Sequence, residues 1–307
     1  MSLLVVGTVA FDSIHTPFGK VEKTVGGAAT YIALSASFFT KDTGIVSVVG
    51  EDFPHQTMHD LKKKHINLDG LQVIKGGKSF YWSGKYHEDL NNRDTLVTEL
   101  NVLADFKPVV PEQYREADFL MLGNLTPAVQ QSVISQMTRR PKLIVLDTMN
   151  FWMESMPDEL AKTISMVDVL TINDAEARQL SGHYSLLKAA KHILKMGPKY
   201  LIIKKGEHGA LLFDSKQVFF APAIPLEEVF DPTGAGDSFA GGFIGFLDKT
   251  QDISFDNMKR AVIFGSAAAS FCVEKFGIDR LLEISDDDMR DRVKEFINLV
   301  QFDIQLG

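Results

Sequence analysis

The hydrophobic residues of this chain cluster in short unbroken runs. "LLVVG", "TGIVSVVG", "DFLMLG", "KLIVLDT", "VDVLTIN" and "YLIIKKG" are separated by stretches of helical periodicity such as "AATYIALSASFF" and "YSLLKAAKHILKMG". A strand that is apolar on successive positions is covered on both faces, which predicts a mostly parallel sheet with helices on each side, an α/β doubly wound fold. In such folds ligands gather beyond the carboxyl ends of the strands, so polar residues just after a strand carry functional weight. Two stretches break the rhythm. "DSIHTPFGKVEKTVGG" and "KGGKSFYWSGKYHEDLNNRDTLVTEL" alternate polar with apolar positions and contain glycine and Asn-Asn turn signals, which predict exposed antiparallel hairpins. The domain reading is a main α/β domain over residues 1–11, 26–73 and 105–307, with residues 12–25 and 74–104 inserted in it as a small β lid.

Composition narrows the partners. A formal charge of −8 and a pI near 5.5 argue against a surface built for nucleic acid or anionic membranes, and leave a small molecule in a cleft. The longest weakly polar run, "AVIFGSAAASFCV", falls short of the roughly 18 residues of a membrane span. One cysteine, Cys272, cannot form an internal disulfide, and its alanine-rich surroundings predict a buried structural thiol. With no basic leader before "SLLVVG", the expected setting is cytoplasmic, as a monomer or homodimer.

Several motifs bear on chemistry. Gly77, Lys78 and Ser79 in "IKGGKSFYW" imitate the end of a P-loop. The required earlier glycine is Gln72, however, and Phe80, Tyr81 and Trp82 predict a strand where that motif needs a helix. In "GTVAFD", Asp12 follows the first strand at the edge where substrates bind, and Gly26 and Gly27 open a helix with room for close backbone approach. In "INDAEARQL", Asn173 ends a strand and Glu176 lies a turn later, a spacing that suits a capping box and a functional amide–carboxylate pair equally. Lys204 and Lys205 precede Gly206 at another strand end, where a lysine is solvated or faces phosphate. In "VFDPTGAGDSFAGGF", small residues at Gly234, Ala235 and Gly236 leave amides uncovered at the start of a helix, an anion site, with Asp237 beside it. The dipole there is expected to favour the ionised form of Asp237.

"DPTGAGDSFAGGF" resembles the signature of the ribokinase-like, or PfkB, family of carbohydrate and nucleoside kinases. "GTVAFD", "VGGAA", the hairpins, "INDAE" and "KKGEHGA" follow in the family's order over essentially the whole chain. The resemblance implies ATP-dependent transfer of the γ-phosphoryl group to a hydroxyl of a small sugar or nucleoside, with Mg²⁺. It implies Asp237 as general base and the amides of Gly234, Ala235 and Gly236 as the anion hole. Asp12, Gly26 and Gly27 are implied as substrate contacts, Lys204, Gly206, Thr233 and Ala268 as nucleotide contacts, and Asn173 with Glu176 as the pair organising Mg²⁺ through water. The chain departs from the family at Tyr31, where many members hold an asparagine; a tyrosine there fills volume or stacks on a substrate ring. "DTMNFW" lacks the arginine that commonly follows Asp147 in ketoacid-sugar kinases, and "VEKFG" departs from the usual potassium loop, so a monovalent cation requirement stays open. Sugar kinase and nucleoside kinase both remain. A non-catalytic sugar or nucleotide sensor is the alternative of another class, against which Asp237, Asn173 and Glu176 together speak.

Overall fold

The structure, a computed structural model, describes residues 2–301. In chain order its strands are β1 (Leu3–Val6), β2 (Ala10–Thr16), β3 (Gly19–Gly26), β4 (Thr43–Gly50), β5 (Ile66–Ile74), β6 (Phe80–Tyr86), β7 (Arg93–Glu99), β8 (Phe119–Leu122), β9 (Leu143–Asp147), β10 (Val169–Asn173), β11 (Tyr200–Lys204), β12 (Ala210–Phe213) and β13 (Val218–Ala221). The unbroken apolar runs make one sheet in the order β13-β12-β11-β10-β9-β8-β1-β4-β5, parallel from β11 through β5 and antiparallel at the β12 and β13 edge. Both faces are buried. Leu3 and Val5 of β1 pack into one hydrophobic layer, Leu4 and Val6 into the other, and all four are fully buried. Each such side chain contributes about 1.5–3 kcal/mol of burial. From β1 the chain runs outward to β4 and β5, then returns to β8 and proceeds the other way through β11. The order thus reverses between β1 and β8, the crevice where ligands bind in doubly wound sheets.

Glycine spacing in "FAGGFIGF" is a packing device. The helix Ala235–Thr250 lies against the helices Ala28–Ala36 and Phe255–Cys272. A Cβ on Gly241 would stand 2.2 Å from the Ile32 carbonyl oxygen, and one on Gly242 would stand 2.8 Å from that of Phe264. The absent side chains let three backbones approach closely, which fixes the helix whose first turn carries Asp237.

The two alternating stretches form a second, four-stranded sheet in the order β3-β2-β6-β7. β2 with β3 and β6 with β7 are antiparallel hairpins, as expected, and β2 and β6 join them in parallel. The first hairpin begins at Ala10, ahead of Asp12. Ser79 confirms that the P-loop likeness is superficial: its hydroxyl donates to Asp52 Oδ1 at 2.7 Å, and strand β6 follows it.

Candidate active site

β9, β10 and β11 are adjacent and parallel, so the residues that end them, Asp147, Asn173 and Lys204, arrive together at the carboxyl edge of the large sheet. Lys204 Nζ donates to Asp147 Oδ2 at 2.7 Å, with the side chains only 17% and 8% exposed. Of the two outcomes open to this lysine, solvation is therefore ruled out. Burial by itself would lower its pKa, but Asp147 and Glu176 outweigh that and hold the ammonium above the usual lysine range. Asn173 and Glu176 form a capping box: Asn173 Oδ1 accepts from the Glu176 amide at 2.8 Å, and Glu176 Oε2 accepts from the Asn173 amide at 2.7 Å. The box holds the Glu176 carboxyl in place, and burial pushes its pKa up to about 7, with Lys204 pulling the other way. Among the described residues no three His, Cys, Asp or Glu side chains gather into a group that could hold a metal ion. Mg²⁺ ordinarily takes one or two carboxylates and keeps several waters, and the buried Glu176 carboxyl is such a group.

The signature loop is pinned from below. Asp231, fully buried, accepts from the amides of Thr233 at 2.8 Å and Gly277 at 3.1 Å, and the Phe230 amide donates to the Val273 carbonyl. The loop then enters the helix through Gly234, which holds φ +76° at the N-cap. Ala235 departs from the expected anion hole, because its amide donates to the Pro232 carbonyl at 3.2 Å and closes a turn. Among the described residues the amides of Gly234, Gly236 and Asp237 have no such partner, and they are the donors the loop presents. A Cβ on Gly236 would come within 3.0 Å of Lys204 Nζ, so the missing side chain lets the lysine reach the loop. Asp237, half-buried in the first helical turn, has a raised pKa. Burial is the main cause and Asp147 adds to it, while Lys204 and Arg93 oppose. The helix dipole, expected to favour the ionised carboxylate, is outweighed.

Asp12, on β2, is buried, and its carboxylate occupies the space that a side chain on Gly26 would fill: a Cβ there would lie 1.9 Å from Oδ2. Burial raises its pKa to about 7, with Asp231 and Asp237 contributing and a hydrogen bond from the Gly27 amide opposing. Gly27 has φ +92° and sits against the Thr8 carbonyl, which only glycine tolerates. Asp12, Gly26 and Gly27 thus form one corner, within electrostatic reach of Asp237. Thr233 Oγ1 donates to Tyr86 Oη of β6 at 3.1 Å, so the second sheet touches the signature loop. Gly206, at φ +55°, faces Asn91 of the β6–β7 turn. Two further expected contacts are buried. Ala268 has its methyl against Gly242, between two helices. Tyr31 is 1% exposed with its ring beneath Gly234, and its phenol lies within electrostatic reach of Asp231, Asp12 and Asp237.

Arg93, Trp82 and Tyr86 complete the arrangement. The Arg93 guanidinium lies 5.7 Å from the centroid of the Trp82 ring and 5.9 Å from that of Tyr86, and its charge lowers the pKa of Asp12, Glu176 and Asp237 alike. Trp82 pairs with Asp12 in the parallel β2–β6 register. "LNNRDT" reads as a polar turn, and nothing local in it marks an arginine that a non-adjacent pairing carries to the carboxylates.

Acids and a lysine gathered at the carboxyl edge of an α/β sheet, beside a glycine-opened helix and a second sheet, suit a phosphotransferase of small hydroxyl compounds. Residues 2–284 match the pfkB family carbohydrate kinase profile, and the chain belongs to that family of ATP-dependent sugar and nucleoside kinases. It is 31% identical over 250 residues to the cytidine kinase of Thermococcus kodakarensis, covering 80% of this chain and 87% of that one. It is 26% identical over 305 residues to the nucleoside kinase of Methanothermobacter thermautotrophicus, covering 90% of each. The nucleoside kinase of Methanocaldococcus jannaschii shares the fold at a TM-score of 0.76 and 21% identity, over 96% of this chain and 99% of that one. Among the described residues no helix is long and apolar enough to cross a membrane.

Proposed function

We propose that the protein is an ATP- and Mg²⁺-dependent nucleoside kinase with Asp237 as its general base. The observation that carries the reaction is the placement of Asp237 in the first turn of the Gly234 helix, beside the Lys204–Asp147 pair and within electrostatic reach of Asp12. Asp12 and the Gly26–Gly27 backbone hold the acceptor. Asp237 takes the proton of the attacking hydroxyl as its oxygen bonds to the γ-phosphorus and the bond from that phosphorus to the departing ADP oxygen breaks. The Gly234 and Gly236 amides, Lys204 and Arg93 stabilise the negative charge on the transferred group. Asn173 and Glu176 would hold Mg²⁺ through water, and the ion would supply charge neutralisation to the phosphates. The four-stranded sheet acts as a lid, and Arg93 is its contribution to the phosphate side.

The nucleoside reading rests on Trp82, which the β2–β6 register sets beside Asp12: an acceptor held by that carboxylate has an indole for a base to stack on. The names of the two curated relatives agree with it. The test is ADP release with Mg²⁺ and ATP across a panel of nucleosides, pentoses and hexoses. A nucleoside is expected to give the highest kcat/KM, by at least tenfold; a free sugar in that place would assign the chain to the sugar kinases, and no acceptor at all would restore the sensor.

A further inference from the structure

Tyr31, where a substrate contact is expected from the sequence, is buried at 1% exposure with its phenol within electrostatic reach of Asp231, Asp12 and Asp237. A Cβ built on Gly234 would lie 2.5 Å from Cζ, 2.6 Å from Cδ1 and 2.6 Å from Cδ2 of Tyr31. These are alternate atoms of the ring at nearly equal distance, so Gly234 rests on the centre of its face. The ring belongs to the helix Ala28–Ala36, whose packing against the helix Ala235–Thr250 leaves it no freedom to withdraw. Gly234 needs such a floor, since it carries one of the three free amides and holds a left-handed φ at a helix start with no side-chain cap. The phenol hydroxyl, by contrast, is buried without a hydrogen-bond partner among the described residues. A buried hydroxyl left unpaired is a cost to stability. The position therefore draws its use from the ring.

We propose that Tyr31 is a positioning residue for phosphoryl transfer: its ring face sets the Gly234 amide for the transferring phosphoryl group, and the residue makes no contact with the acceptor. This rests on the reading of the signature loop as the anion hole. Its role lies in the rate of transfer rather than in ground-state binding, because a misplaced amide matters most where charge develops.

The test compares Tyr31→Leu, which removes the flat face, with Tyr31→Phe, which keeps it. Measured are kcat, the acceptor KM, thermal stability, and the calorimetric affinity for ADP with aluminium fluoride, a mimic of the transferring phosphoryl group. In Tyr31→Leu, kcat is expected to fall by about 10- to 100-fold, as for a displaced catalytic group. The acceptor KM should change less than about threefold, and affinity for the fluoride complex should drop in parallel with kcat. Tyr31→Phe is expected to rescue rate and fluoride affinity to within about threefold of the parent, with a melting temperature equal or higher because the unpaired hydroxyl has gone. An unchanged kcat in Tyr31→Leu would overturn the proposal. So would a tenfold rise in acceptor KM in Tyr31→Phe at constant kcat, which would make the hydroxyl a substrate contact. Should Tyr31→Leu fail to fold, the Phe variant and Tyr31→Met, unbranched and flexible but not flat, decide by the same criteria. Failure of the loop reading itself would show separately, as a parent protein that transfers phosphate but does not bind the fluoride complex more tightly than ADP alone.

Discussion

The two sheets contribute to one cleft in different ways. The large sheet is buried on both faces and delivers Asp147, Asn173 and Lys204 from the ends of three neighbouring strands, where register leaves them no latitude. The small sheet carries Asp12, Trp82, Tyr86 and Arg93, and its outer strand β7 is exposed along its full length. Its ties to the large domain at the cleft include one hydroxyl pair, Thr233 to Tyr86, and the close approach of Asn91 to Gly206. Strand ends fastened by a two-sided core suit groups that must be preorganised, and a sheet whose outer strand is exposed suits groups that close on substrate. In the proposed reaction the large sheet is the fixed half, which would hold phosphate and metal and take the proton, and the small sheet is the half that would grip the acceptor and bring a cation.

Removing that cation tests the separation most severely. Arg93→Ala is expected to lower kcat by about 10² to 10³, the range for loss of a charge-stabilising donor, with smaller changes in the affinity for ATP alone if the small sheet closes on the acceptor. Steady-state kinetics with calorimetry of ATP binding checks it; an ATP affinity that collapses without acceptor would place Arg93 in the fixed half. Glu176→Gln keeps the capping box, since a side-chain amide oxygen also accepts from Asn173, but it removes the charge. The Mg²⁺ concentration for half-maximal rate should rise by about tenfold, the lower end for an outer-shell metal contact. An unchanged value would reduce Glu176 to its cap.

Asp12→Asn has the smallest effect on stability and a definite sign. The folded pKa, about 7, lies above the ordinary aspartate value, so the neutral form favours folding. That contribution is present below the unfolded pKa and is lost as pH rises through the folded one. The neutral variant should therefore melt higher than the parent at pH 8, by roughly 2–5 °C, and at about the same temperature at pH 4. A melting temperature lowered at pH 8 would show that the charge at Asp12 is supported after all.

How far this was legible in the chain depends on range. Unbroken apolar runs announced the large sheet because burial on two faces leaves no polar positions, and the alternating stretches announced the hairpins. Asn173, Lys204 and Asp237 could be singled out because each ends a strand or follows a glycine turn, which is local information. The parallel join of β2 to β6 is not local, and with it Arg93 and the pairing of Trp82 with Asp12 escaped notice. Two residues are ambiguous for a related reason. Small side chains at Ala268 suit a base pocket and a tight helix crossing equally, and the aromatic ring of Tyr31 suits a substrate or a glycine. The direction of the Asp237 pKa was not legible because the dipole is visible in sequence, whereas the burial that chiefly raises it, and Asp147 ninety residues away, are not.

The claim that Asp237 takes the proton meets its most direct test in the rate of a single turnover, measured from about pH 5 to pH 9 with ATP, Mg²⁺ and acceptor saturating, in the parent and in Asp237→Asn. A base whose pKa is raised by burial and by Asp147 must be ionised to act. The parent rate should therefore fall about tenfold per pH unit on an acid limb lying above the ordinary aspartate range, and reach a plateau at higher pH. Asp237→Asn should transfer about 10² to 10⁴ more slowly and without that limb. A variant that keeps the parent's rate, or keeps the same acid limb, would contradict the assignment and place the base on another residue.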